Sequence, residues 1–107
     1  MKEVERELKV FITRLYKRVA KRFRIKISKL KIIPHNKAVD CYGFYTESPR
    51  EIHIRLRFEN GNWVPIPEIL ETLAHELAHS AHPDCFEHDR QFYAAYHQIA
   101  QYMLQFY

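Results

Sequence analysis

Residues 67–81 read PEILETLAHELAHSA. Ile69, Leu70, Leu73 and Leu77 recur at the three- and four-residue steps of a buried helix face. Thr72, His75, Glu76 and His79 fall on another face. Pro67 suits the first helical turn, and Pro83 lies just past the last one. The apolar stripe is complete without the histidines, so they are not needed to fill the core. His75-Glu76-Leu77-Ala78-His79 has the spacing HExxH, two imidazoles one helical turn apart with a carboxylate beside the first. Neutral imidazoles so placed can hold one zinc ion, and Glu76 can reach a water at the metal.

A hydrolytic zinc site needs a third protein ligand and an open fourth position. His82, Asp84, Cys85, Glu87 and His88 follow the motif. Asp84-Cys85-Phe86-Glu87 has the pattern of a capping box, predicting a last helix from about residue 85. His88 shares a face of that helix with Phe92, Ala95 or Tyr96, Ile99, Met103 and Phe106, the face that must meet the domain. Glu87 leads instead to Gln91, Ala94, Gln98 and Gln101, a polar stripe, and has a capping role of its own. His82 is too close to His79 along the chain to complete an open tetrahedral site easily. The expected metal ligands are therefore His75, His79 and His88, with one Zn²⁺ per chain and Glu76 as the catalytic residue.

Upstream, Val4, Leu8, Phe11, Ile12, Leu15, Val19 and Phe23 predict a long amphipathic helix over residues 2–23. Residues 24–33 read as a strand stopped by Pro34. Residues 39–46 and the strictly alternating 51–58 read as an antiparallel hairpin around Glu47-Ser48-Pro49-Arg50. The expected fold is α+β in one domain over residues 1–107. It comprises the long N-terminal helix, a small three-stranded, mostly antiparallel sheet, the HExxH helix, and a C-terminal helix carrying the third ligand.

Composition bounds the function. Residues 1–31 hold 12 of the 17 Lys and Arg and net +9, while the remainder nets −5. A basic amphipathic start suits nucleic acid, a membrane surface or an acidic partner, and equally a solvated helix face. Cys41 and Cys85 are the only cysteines, too few and too far apart for a disulfide framework. No apolar run nears the roughly 20 residues of a spanning helix, and the N-terminus lacks a signal-peptide core. A soluble, cytoplasmic protein is expected.

The segment HELAHSAHPDCFEHDRQF resembles zinc metallopeptidases of the gluzincin type in their smallest soluble form, the minigluzincins. The order of elements fits the whole chain, though only the stretch from HExxH to His88 is specific. The resemblance implies a catalytic domain akin to those of HtpX-type membrane proteases, a histidine third ligand, and latency through a C-terminal segment. SprT-like proteases are a second resemblance. They carry HExxH and a later histidine in an H-G-x-x-F setting, where this chain has His88-Asp89-Arg90-Gln91-Phe92.

Together these readings predict an endopeptidase in which water, activated by zinc and Glu76, attacks a peptide carbonyl. Tyr93, Tyr96 and His97 are open candidates for a second oxyanion donor. The gluzincin resemblance implies that the strand at 51–58 is the sheet edge above the zinc, where a substrate peptide can add, with His53 and Arg55 as substrate contacts beside Arg57. The apolar tail, residues 101–107, is expected to cover the cleft, in cis or by exchange in a homodimer. The competing expectations are a DNA-associated SprT-like protease using the basic helix, and a non-catalytic zinc-binding interaction domain.

Overall fold

The computed structural model describes residues 2–26, 29–34, 42–47, 49–81 and 90–106. The elements run α1 (Lys2–Phe23), β1 (Lys29–Ile33), β2 (Gly43–Glu47), β3 (Arg50–Arg55), α2 (Ile66–Ala81) and α3 (Arg90–Met103), and end in a 3₁₀ turn, Leu104–Phe106. The fold is α+β, with helices packed on one face of a small sheet.

α1 has the predicted bounds, with Glu3 and Glu5 in its first turn and Lys21 and Arg22 in its last, complementing the helix dipole. Ile12, Leu15, Tyr16 and Val19 are buried, whereas Val4 is 53% exposed, so the first turn projects past the core. Arg24 stops the helix with φ +56°, and the Ile25 N–H donates to the Ala20 carbonyl at 2.8 Å. This is a Schellman closure, in which glycine is the usual residue.

The sheet order is β1-β3-β2. β2 and β3 form the predicted antiparallel hairpin, paired from Glu47↔Arg50 to Gly43↔Ile54. β1 joins β3 in parallel, so the sheet is mixed. Ile52 and Ile54 point into the core. On the opposite face, Glu51 Oε2 lies 3.2 Å from Lys31 Nζ, and Glu51 Oε1 lies 3.4 Å from His53 Nε2. The expectation that the strand at 51–58 lies at the edge is overturned: both of β3's ladders are taken, and β2 is the edge strand beside α2. Past β3 the chain turns at Gly61 (φ +90°) and bridges Arg57 to Trp63 before α2.

α2 buries Ile69, Leu70, Leu73 and Leu77 as predicted, along with Ala74 and Ala78. α3 packs on it through Phe92, Ile99 and Met103. The final turn docks on α1: the Arg18 guanidinium lies 4.7 Å over the Phe106 ring, and Tyr102 meets Phe23 edge-on at 5.8 Å. Among the described tail residues only Met103 is buried, and the contacts of Tyr102 and Phe106 are with α1 rather than with the cleft. Covering the cleft, in cis or from a second copy, would first require Tyr102 and Phe106 to leave α1. Among the described residues, no helix is long and apolar enough to cross a membrane.

Candidate metal centre

Helix geometry alone brings the motif together. His75, Glu76 and His79 project from one side of α2, and one ligand atom from each lies within 4.8 Å of the others. The two imidazoles meet at 4.8 Å between ring centroids with a 73° tilt. Behind them stands Phe92 of α3, only 1% exposed, with its ring 5.0 Å from His75 and 4.6 Å from His79. This residue was expected only as core. Its position makes it the apolar backing that limits how the two rings turn.

Glu76 is 7% exposed, and its Oε2 lies 3.3 Å from His75 Nδ1. Burial pushes its carboxyl up from 4.5 to about 7, because an ionised carboxylate loses more hydration there than its neutral form. The donor set fits zinc: two imidazole nitrogens and a carboxylate within one ion's reach, with the His75 side chain still 35% exposed. His88, the expected third ligand, lies outside the described residues, as do His82, Asp84, Cys85 and Glu87.

A cavity of about 360 Å³ opens in front of His75 and Glu76. α2 supplies Glu68, Glu71 and Thr72 to its wall, and the edge strand and the residue before it supply Gly43 and Tyr42. Gly43 is there because nothing larger fits: a Cβ would sit 2.6 Å from the His53 carbonyl oxygen and 2.7 Å from Thr72 Cγ2. The sequence reading missed Tyr42, Gly43, Glu68 and Glu71. The one signal available was Gly43 itself, in a chain with two glycines. His53 stacks on Phe44 at 4.2 Å, and Arg55 is 4% exposed and donates from Nη1 to the Arg57 carbonyl at 3.1 Å. Neither lines this cavity.

Of the three candidate oxyanion donors, Tyr93 is 57% exposed, whereas Tyr96 faces His75 at 6.0 Å between rings. Burial raises the Tyr96 hydroxyl's pKa, and the adjacent Glu71 carboxylate, to which it is hydrogen-bonded, raises it further.

A small α+β domain with this histidine–glutamate–histidine cluster on a central helix is a zinc-metalloprotease-like domain. The profile of the WLM domain matches residues 6–107, and the chain belongs to that family. The minigluzincin resemblance described the same kind of fold more coarsely. Among solved structures, a mutant of Wss1 from Saccharomyces cerevisiae superposes with a TM-score of 0.77 at 21% identity, covering 97% of this chain and 81% of that one. Wss1 from S. cerevisiae gives 0.70 at 22%, covering 88% and 72%. A glutamate-to-glutamine mutant of Wss1 from S. pombe gives 0.67 at 22%, covering 91% and 84%. No curated protein sequence matches the chain.

Proposed function

We propose that the chain is a zinc-dependent endopeptidase, with zinc held by His75, His79 and His88. The observation that carries this reading is a buried glutamate beside an imidazole pair at the wall of an open cavity. Bound there, zinc supplies Lewis-acid polarisation of the peptide carbonyl and acidifies water. Glu76, in the cavity wall beside His75, accepts the proton of the attacking water and returns it to the leaving amine. Phe92 excludes water behind the imidazoles. The substrate backbone adds to the edge of β2 opposite β3, unpaired among the described residues, which runs past the cavity at Gly43. His53 props that edge by stacking on Phe44.

The test is Glu76→Gln against the wild type. The variant should retain one zinc per chain and its fold and lose peptide hydrolysis by a factor of at least about 10². Zinc without hydrolysis in either protein would favour a non-catalytic zinc-binding domain.

A second reading is supported by the exposed basic face of α1, formed by Arg14, Lys17, Arg18, Lys21 and Arg22. We infer that this face can hold DNA close to the protease. Neutralising these side chains should then weaken DNA binding and flatten its salt dependence. Affinity that is indifferent to salt would remove the reading.

A further inference from the structure

A second cavity, of about 450 Å³, lies between the first half of α2 and the second half of α3. Its apolar walls include Leu70, Ala74, Ala100 and Leu104. Leu70 and Ala74 belong to the buried core, so the cavity floor is the hydrophobic interior itself. Leu104 at the rim is 70% exposed. The volume is at the lower end for small-ligand sites. The cavity has room for a large apolar side chain.

This cavity shares a wall residue with the candidate catalytic one. Glu71 lines both, and Tyr96, hydrogen-bonded to Glu71, lines the apolar cavity while its ring faces His75. The Glu71–Tyr96 pair is thus a polar partition between the place where a peptide bond would be cut and an apolar hollow one helical turn away. A peptide lying along β2 past His75 has its neighbouring side chains within reach of that partition.

We infer that the apolar cavity is a specificity subsite of the proposed endopeptidase, taking a Leu, Met or Phe side chain of the substrate next to the scissile bond. The inference rests on the proposed proteolysis and adds the substrate class to it. Burying the side chain removes apolar surface from water on both partners, and the Tyr96 hydroxyl and Glu71 carboxylate satisfy each other at the mouth. A substrate Asp or Glu at this position is disfavoured, because it would face the Glu71 carboxylate.

The experiment maps cleavage sites in a diverse peptide library by mass spectrometry for the zinc-loaded wild type, Ala100→Phe and Leu104→Asp. Ala100→Phe puts a ring into the cavity. Leu104→Asp leaves its volume and makes the rim acidic, at a position exposed enough for the fold to tolerate it. The wild type should enrich Leu, Met or Phe over Ala at one position beside the cut by on the order of tenfold or more. Both variants should lose that enrichment while cutting remains sensitive to Glu76→Gln, with thermal unfolding and zinc content recorded for each. Cleavage by the wild type with no apolar preference, or a preference that survives both variants, overturns the subsite and leaves the proteolysis standing. No cleavage by the wild type overturns both.

Discussion

Glu76→Gln should stabilise the metal-free chain, and only above the range in which the glutamate is protonated. Glu76 is 7% exposed, and burial raises its carboxyl from 4.5 to about 7. Between those values the folded chain keeps a proton that the unfolded chain has released. The stability contributed by this group is therefore complete below about pH 4.5 and is lost as pH rises through about 7. At ~1.4 kcal/mol per tenfold change in proton affinity, the gap amounts to about 3 kcal/mol at pH 8. Glutamine keeps the shape of the protonated acid and cannot ionise. In EDTA, urea unfolding followed by the single tryptophan, Trp63, should show the variant more stable by on the order of 3 kcal/mol at pH 8. At pH 4.5 the two should agree within about 0.5 kcal/mol. Saturating zinc should erase the advantage, because a cation beside the carboxylate favours its charged form. An equal gain at both pH values would refute the burial argument.

Three further substitutions probe the frame around the site. Gly43→Ala must move β2 away from either the His53 carbonyl or Thr72. It should cost about 1–3 kcal/mol by urea unfolding and lower peptide hydrolysis, and a neutral result would mean the edge strand has room to spare. Arg24→Gly relieves a left-handed residue at the end of α1 and should add about 0.5–1 kcal/mol; a lower melting temperature would contradict the Schellman closure. Phe92→Ala should cost about 3–5 kcal/mol and also weaken zinc binding in competition with a chromophoric chelator. Lost stability with unchanged zinc affinity would make Phe92 a packing residue alone.

The helices were legible because their determinants are local. A 3.6-residue period fixed α1 and the buried face of α2, and HExxH spacing on that helix guarantees that His75, Glu76 and His79 converge. Sheet order was not legible. The alternation of residues 51–58 reports that one face is covered, and it is the same in an edge strand and a central one. The outward Glu51 and His53 are occupied by Lys31 and Phe44 from the flanking strands, partners no local pattern reveals. The far wall of the catalytic cavity was hidden for the same reason, since Tyr42 and Gly43 reach it only through strand pairing. Tyr93 and Tyr96 looked alike in an aromatic-rich helix until the packing of α3 on α2 turned one outward and set the other against Glu71 and His75.

The contact of Tyr102 and Phe106 with α1 ties the first helix of the domain to its last turn. On the ribosome, α1 is made before residues 102–106 and must wait about eighty residues for Phe23 and Arg18 to meet these partners. Until residues 102–106 have emerged, part of its apolar face is open to chaperones or to a neighbouring nascent chain. Vectorial synthesis therefore cannot secure this domain piecemeal, and its two ends become stable together.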